Sequence, residues 1–415
     1  MDTTQLEATG PELESRLVAV AEDLRQAFRP ILAAIEGPRP RPMVLQARLG
    51  IDKSLASRLA RAFRSDDPLE MMHHLPAPTG LKIVLGKAER ARIAVEECRT
   101  AHVAVDRFQA LIHDTPGGRA SLEAAISLSS PSAKVRNERN ARQAAFKSLS
   151  YLLGCQVETA TTTMILQPSS DGRHVDVIEV QQRLGMRRIR TMAPISLFGY
   201  QITPVTDGQN DTPVLETLEG RVATDVRQVI LSDYSTSPLP PMLDIVAGNR
   251  LSIALDTHRT SLEEPFDFAV GLMVRKALQR YRTPERSYEW HSYLLRNPCR
   301  YLVRDILMHQ DLEFGEMPEL VQYLPSSRGS VTERHHGVQG RLDTLDLDAR
   351  VESLGYGPER LAIAESPRYR HLIGDVLGRA GWDPEQFRAY RSRLQYPLAL
   401  VQTNWWFRLP DGPAG

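Results

Sequence analysis

Cationic and hydroxyl side chains recur on one side of a short helix that the sequence predicts near the N-terminal end. This polar face, within residues 52–64, is formed by Lys53, Ser54, Ser57, Arg58, Arg61 and Arg64. From Arg39 to Arg64 the chain has seven basic residues and one acidic residue, Asp52, which gives a local net charge of +6. Such a surface can neutralise phosphates and release their counterions, and the same groups can bond to base edges. The chemistry predicted here is recognition of a polyanion.

A glycine-centred turn must position this helix. A shorter helix before it buries Leu45 and Leu49 and ends at Gly50, where the missing Cβ permits a left-handed backbone. Ile51 is predicted to be buried, and Asp52 is predicted to cap the next helix at its positive end. That helix should bury an apolar stripe formed by Leu55, Leu59, Ala62 and Phe63.

The segment over residues 43–64 resembles the helix-turn-helix of bacterial transcriptional regulators. The resemblance rests on Leu49-Gly50-Ile51 at the turn and on Ser54, Ala56, Ser57 and Arg58 in the second helix. Gln46, followed by Ala47, stands where that family usually has a small residue. In the family the second helix enters the DNA major groove. The resemblance therefore implies that Lys53, Ser54, Ser57 and Arg58 read bases of double-stranded DNA.

A structural interpretation stands beside this one. Many helical hairpins share the same pattern, and a basic helix face can simply be solvated. The chain would then be an interaction or assembly protein that does not bind DNA, with behaviour insensitive to salt.

An amphipathic helix is predicted over residues 11–35, before the basic segment. Its apolar stripe consists of Leu13, Leu17, Val20, Leu24, Phe28, Ile31 and Ile35. This stripe either pairs two protomers or packs on its own domain. A homodimer would match a palindromic site, with one half-site for each protomer. The proline-rich segment that follows carries Arg39 and Arg41, which could contact phosphate or the minor groove.

Two further basic clusters are candidates for phosphate contacts. The first, on a predicted helix, is formed by Lys134, Arg136, Arg139, Arg142 and Lys147. The second, at a strand end beside Gly185, is formed by Arg183, Arg187, Arg188 and Arg190. The alternatives are a solvated helix face and pairing with acids elsewhere in the chain.

Asp305, His309 and Asp311 are the strongest candidates for metal ligands. Asp305 and His309 are four residues apart and would share a face of the helix predicted there. Glu333, His335 and His336 could contribute from a polar loop. Ordinary hydrogen bonding is the favoured explanation for these residues, and no known metal, phosphate-loop, dinucleotide or nucleophile motif is present. We therefore predict no cofactor and no enzymatic activity, with a metalloenzyme as the alternative.

The composition is that of a globular protein with balanced charge. The 415 residues include 51 basic and 51 acidic ones, and 42% are hydrophobic. No apolar run is long enough for a membrane span, the N-terminus lacks a secretory pattern, and three separated cysteines favour a reducing cytoplasm.

The predicted fold class is α+β, with five segments along the chain. They are an amphipathic helix (1–36), a helix-turn-helix domain (37–112), a helical connector (113–153), an antiparallel β domain (154–264) and a helical C-terminal domain (265–415). The sequence thus predicts a cytoplasmic bacterial regulator of transcription. Its C-terminal region would bind a small-molecule effector or a protein partner.

Overall fold

The chain forms two compact units, Met1–Asn140 (unit 1) and Ala141–Gly415 (unit 2). The computed structural model describes residues 10–37, 40–129, 131–191, 193, 195–201, 215–247, 250–259, 264–284, 286–312, 314, 317–324, 344–345, 347 and 349–412. Within these residues no helix is both long and apolar enough to cross a membrane.

Helices make up the first part of the chain. They are α1 (Gly10–Ile35), α2 (Pro42–Leu49), α3 (Lys53–Ala62), α4 (Pro68–His74), α5 (Pro78–Arg90), α6 (Val95–Asp114), α7 (Gly118–Ser129) and α8 (Pro131–Leu153). Proline stands in the first turn of α2, α4 and α5, where its missing N–H costs no hydrogen bond.

The apolar stripe of α1 packs into the core of its own unit. Leu17, Leu24, Phe28 and Ile31 are at most 1% exposed, and they share one core with residues of α2 to α7. The ring of Phe28 stacks on that of Phe63, with centroids 5.4 Å apart. The stripe therefore packs within its own unit. The homodimer stays a prediction, and it would have to form through another surface.

Unit 2 is built mainly from strands. They are β1 (Cys155–Pro168), β2 (His174–Arg188), β3 (Ile195–Gln201), β4 (Leu215–Glu216), β5 (Met242–Ala247), β6 (Arg250–Leu255), β7 (Phe266–Gln279), β8 (Tyr288–Leu294), β9 (Cys299–His309), β10 (Glu319–Tyr323), β11 (Glu352–Tyr356), β12 (Phe387–Gln395) and β13 (Gln402–Arg408). One helix, α9 (Tyr369–Ala380), lies between β11 and β12.

These strands form a seven-stranded sheet and two three-stranded sheets. The large sheet has the order β11-β12-β9-β1-β2-β7-β4, and the small ones have the orders β10-β13-β8 and β3-β6-β5. Strands β1 and β2 form an antiparallel hairpin, with Gly172 in a left-handed turn at φ +71°. However, β1 pairs with β9 in parallel, so the large sheet is mixed.

The predicted fold class is wrong. The sheet is not a separate antiparallel domain of residues 154–264, because its strands β7, β9, β11 and β12 come from the region predicted to be helical. Three segments of the region predicted to be helical, Phe266–Gln279, Cys299–His309 and Phe387–Gln395, are the strands β7, β9 and β12.

Burial on both faces explains this error. In β9 every residue from Leu302 to His309 is buried, and β7 is buried continuously from Phe268 to Val274. A strand covered on both sides loses the alternation of apolar and polar residues that identifies a half-exposed strand. Its apolar run then resembles the core of a helix.

A buried ion pair connects two strands of the large sheet to the helix that covers it. Asp305 of β9 is fully buried and accepts hydrogen bonds from Nε and Nη2 of Arg391 on β12, at 2.9 and 2.8 Å. The hydroxyl of Tyr369, at the start of α9, donates to Asp305 Oδ2 at 2.7 Å and lies 2.6 Å from the hydroxyl of Thr163 on β1. Burial and the charge of Asp305 raise the pKa of Tyr369 well above its usual range, so the phenol keeps its proton.

We expect Asp305→Asn to lower the free energy of unfolding by about 3–5 kcal/mol, because it leaves the buried charge of Arg391 without its carboxylate. Denaturant-induced unfolding measures this change. Asp311→Asn is the matched control, because the Asp311 side chain is 64% exposed; it should cost about 0.5 kcal/mol or less. Equal effects of the two variants would contradict this assignment.

Candidate nucleic-acid interface

The turn between α2 and α3 has the predicted geometry. Gly50 is left-handed, at φ 59° and ψ 38°, and its N–H donates to the carbonyl of Gln46 at 2.9 Å. Ile51 is 6% exposed. Asp52 caps α3, since its Oδ1 accepts from the backbone N–H of Leu55 at 2.9 Å. The left-handed backbone conformation favours glycine, so this turn depends on Gly50.

One side of α3 packs inward and the other faces solvent. Ala56, Leu59 and Ala62 are fully buried, and Leu55 and Phe63 are half-buried against the same core. The residues predicted to contact DNA lie on the opposite side. Lys53, Ser54, Arg58, Arg61 and Arg64 are exposed, and Ser57 is half-buried.

Two arginines meet at the C-terminal end of α4. The Nη2 atoms of Arg58 and of Arg119, which lies on α7, each donate to the carbonyl of Leu75 at 3.0 Å. The end of a helix carries partial negative charge, which favours cations there. Burial and the charge of Arg119 lower the pKa of Arg58. The guanidinium of Arg58 is thus held in place while its residue stays exposed.

A third arginine, Arg136, and two histidines form another cluster at the end of α4. Arg136 of α8 donates through Nε to Nε2 of His73, and its Nη1 lies 2.7 Å from Nε2 of His74. Because an arginine only donates, both imidazoles accept at Nε2 and are neutral in this arrangement. Burial, followed by the charge of Arg61, lowers the pKa of His74 and of Arg136. The charges of α3 and α8 therefore act on one another.

The arm before α2 is described in part. Arg39 lies outside the described residues. Arg41 is exposed, and both its backbone N–H and its guanidinium bond to Glu36, which lowers the pKa of that carboxyl. Arg64 lies near this arm, with its Nη2 3.4 Å from the carbonyl of Pro40.

The four arginines near the end of β2 do not form one patch. Arg183 is buried and bonds to Asn297 and Gln181, and Arg187 is exposed. Arg188 is buried and donates to the carbonyl of Arg190. Arg190 itself donates to carbonyls in the last turn of α8. Arg183 and Arg190 donate to amide and backbone carbonyl oxygens, whereas the alternative interpretation expected carboxylates.

The three metal candidates do not converge, although His309 Nδ1 lies 3.6 Å from Asp311 Oδ2. Asp305 is occupied by Arg391 and Tyr369, and His309 Nε2 lies 2.6 Å from Gln386 Oε1. On a strand, residues four apart are separated by roughly 13 Å, whereas the predicted helix would have brought them onto one face within reach of one ion. Glu333, His335 and His336 lie outside the described residues, and within those residues no group of three or more histidine, cysteine or acidic side chains could hold a metal ion.

Three residues that contact the arginines around α3 and α8 were missed in the sequence. Arg119 follows the turn at Gly117 and Gly118, and His73 and His74 end α4. None of them stands in a basic cluster along the chain. Only the packing of α4, α7 and α8 brings these side chains to α3, so local composition carries no signal for them.

The comparisons with known proteins give no family. No protein-family model matches the chain, and no curated protein matches it. Among solved structures, a suggested protease from Parabacteroides distasonis ATCC 8503 is 6% identical, with a TM-score of 0.26 over 62% of this chain. This chain spans 41% of that protein's length. A likeness at this level supports no argument about fold or function.

We expect Asp52→Ala to lower the free energy of unfolding by about 1 kcal/mol, because α3 loses its N-terminal cap. Asp52→Asn is the matched control, since its side-chain oxygen can still accept from Leu55, and it should be close to wild type. Denaturant unfolding followed by circular dichroism compares the three proteins. A wild-type value for Asp52→Ala would show that the cap contributes nothing.

The lowered pKa of His74 predicts a loss of stability in mild acid. The unfolded chain binds a proton at His74 near its ordinary pKa, about 6.5, whereas the folded chain binds it only at lower pH. The stabilisation is thus complete above that ordinary pKa and is lost as the pH falls from it toward the folded pKa.

Thermal unfolding between pH 7.5 and 5.5 measures this dependence. The loss should be smaller in His74→Gln than in the wild type. His113→Gln, which changes a histidine with a 90% exposed side chain, is the control and should follow the wild type. Identical pH profiles for all three proteins would refute the role assigned to His74.

Proposed function

We propose that this protein binds double-stranded DNA through α3 and acts as a regulator of transcription in the bacterial cytoplasm. One observation carries the proposal: α3 follows a left-handed Gly50 and an Asp52 cap, and its cationic and hydroxyl residues face away from the core. The fold of unit 2 and the comparisons with known proteins play no part in this argument.

The first turns of α3 would supply the base contacts. In helix-turn-helix proteins the N-terminal residues of the second helix contact base edges. Lys53 and Ser54 stand at this end and are exposed, and Ser57 lies one turn later. Ammonium and hydroxyl groups can bond to acceptors on base edges in the major groove. Arg58 follows on the same side of the helix.

Besides Arg58, which is assigned to base contacts, the cations around α3 would bind phosphates. Arg58, Arg61, Arg119 and Arg136 influence one another electrostatically across α3, α7 and α8. Two acids, Glu70 and Glu123, lie near enough to offset part of this charge. The remaining excess of positive charge suits a phosphate backbone that passes beside the recognition helix. Arg41 and Arg64 would extend the contact toward the arm.

A homodimer would recognise a palindromic DNA sequence, and one α3 would bind each half-site. Since α1 packs its stripe internally, the surface that joins the protomers would lie elsewhere. A small-molecule effector or protein partner acting through unit 2 completes this proposal.

The test starts with genomic DNA fragments selected by the full-length protein. An enriched fragment is then labelled, and its binding is followed by fluorescence anisotropy at several salt concentrations. We expect Lys53→Ala and Arg58→Ala each to weaken binding by about 1–3 kcal/mol. Loss of a phosphate contact, as in Arg61→Ala, should also reduce the slope of log K against log salt by about 1.

Arg99→Ala is the matched control. Arg99 lies on α6 of the same unit, its side chain is 74% exposed, and it pairs with Glu96 on its own helix. This variant should bind like the wild type. Unchanged affinity in Lys53→Ala and Arg58→Ala would reject α3 as the reading helix. Failure to enrich any DNA would favour the interaction or assembly protein.

A further inference from the structure

A buried arginine spans the space between the large sheet and the sheet β10-β13-β8. Arg304 of β9 is 1% exposed. Its Nη1 donates to the carbonyl and hydroxyl oxygens of Thr403 on β13, at 2.8 and 2.7 Å. Its Nη2 lies 3.3 Å from Nδ1 of His291 on β8. These contacts use both terminal nitrogens and fix the guanidinium in place.

Four donor atoms, one on Arg304 and three on residues that neighbour it, have no hydrogen-bond acceptor in the described part of the chain. They are Nε of Arg304, the hydroxyls of Tyr293 and Ser392, and Nε1 of Trp405. Ser392 is the cross-strand neighbour of Arg304. The ring centroids of Tyr293 and Trp405 lie 5.3 and 5.8 Å from the guanidinium carbon.

These donors favour an acceptor as the missing partner. All four side chains are at most 5% exposed, so bulk water does not satisfy them. Burying a donor without an acceptor is costly. Guanidinium and indole N–H groups can only donate, which excludes another donor group as their partner.

The same region has an excess of positive charge. Arg183 of β2 is 5% exposed, and it donates to two neutral acceptors, Asn297 Oδ1 at 3.3 Å and Gln181 Oε1 at 3.0 Å. The nearby carboxylate, Glu179, is reached through His291, whose Nε2 lies 3.3 Å from Glu179 Oε2. Among the described residues, neither Arg183 nor Arg304 forms an ion pair with a carboxylate. The region thus holds two buried guanidinium groups, and within the part that the structure describes the nearby carboxylate of Glu179 is in direct contact with neither.

These charges persist at neutral pH. Burial lowers the pKa of Arg304 to about 10, which leaves the guanidinium protonated. Burial also raises the pKa of Glu179, but the hydrogen bond and charge of His291 outweigh it, so this pKa lies below its usual range. Because an uncompensated buried charge is strongly unfavourable, a counter-anion would stabilise the region.

We propose that Arg304, Tyr293, Ser392 and Trp405 form a binding site for a small oxyanion, a carboxylate or a phosphate group. Its oxygens would accept from the four donors, and its charge would offset the excess from Arg183 and Arg304. The site gives the predicted effector a chemical class. It lies within unit 2, and its test uses no DNA, so its failure is distinct from failure of DNA binding.

Thermal unfolding and titration calorimetry of the full-length chain test this proposal. The protein is dialysed into a zwitterionic buffer, and sodium acetate, sodium phosphate and sodium chloride are added at matched ionic strength. We expect a saturable rise in Tm with acetate or phosphate, a smaller rise with chloride, and one site per chain. The acetate and phosphate arms distinguish a carboxylate from a phosphate ligand.

Two variants remove only unpartnered donors. Tyr293→Phe and Ser392→Ala should fold at least as stably as the wild type without anion, because each deletes a hydroxyl that has no acceptor. Each should weaken anion binding about tenfold, as expected for a hydrogen bond to a charged acceptor. Tyr369→Phe is the control: its hydroxyl bonds to Asp305, so it should lose stability but keep the anion response.

Three results would overturn the proposal. They are no saturable binding of acetate or phosphate, equal stabilisation by chloride, and wild-type anion affinity in both Tyr293→Phe and Ser392→Ala. Retained folding with weakened anion binding in those two variants would support it.

Discussion

The permanent charge of arginine constrains this structure more than any other feature. The guanidinium keeps its proton throughout the physiological pH range, so burial cannot neutralise it, and each buried arginine needs acceptors. The chain meets this need in different ways. Arg391 has a carboxylate, Asp305, and Arg58 has a backbone carbonyl at a helix end. Arg183 has side-chain amides. The surfaces that could bind anions are those where this pairing is least complete.

The candidate DNA interface shows how incomplete pairing can be useful. A carbonyl acceptor holds the guanidinium of Arg58 but leaves its full charge, whereas a carboxylate would cancel it. Arg119 shares that carbonyl but also pairs with the carboxylate of Glu123, so its charge is partly offset. Two neutral histidines likewise hold Arg136 without cancelling its charge. Cations fixed by neutral acceptors are preorganised for phosphates, because little side-chain freedom is left to lose on binding.

The sequence predicted what depends on neighbours along the chain. The turn at Gly50 and the cap at Asp52 follow from local rules, and both are confirmed. The strand β9 was mistaken for a helix because it is buried on both faces, and its parallel pairing with β1 joins residues far apart in sequence. The contact of Arg119 with α4 has the same origin. Long-range packing decides these features, and no local spacing encodes them.

A buried arginine lies on each face of the large sheet, and the two arginines differ in the groups that accept their hydrogen bonds. On the face toward α9, the carboxylate of Asp305 neutralises the charge of Arg391, and Tyr369 donates a further hydrogen bond to that carboxylate. On the face toward β13, the neighbouring residue Arg304 contacts a neutral threonine and a histidine, while its Nε and nearby hydroxyl and indole groups have no acceptor among the described residues. Adjacent residues of one strand point to opposite faces, so Arg304 and Asp305 of β9 contribute to two different environments. The pair of Asp305 and Arg391 belongs to a core whose charges are balanced. The surroundings of Arg304 have the composition of a ligand site, because buried donors there could bind an acceptor that the chain does not supply.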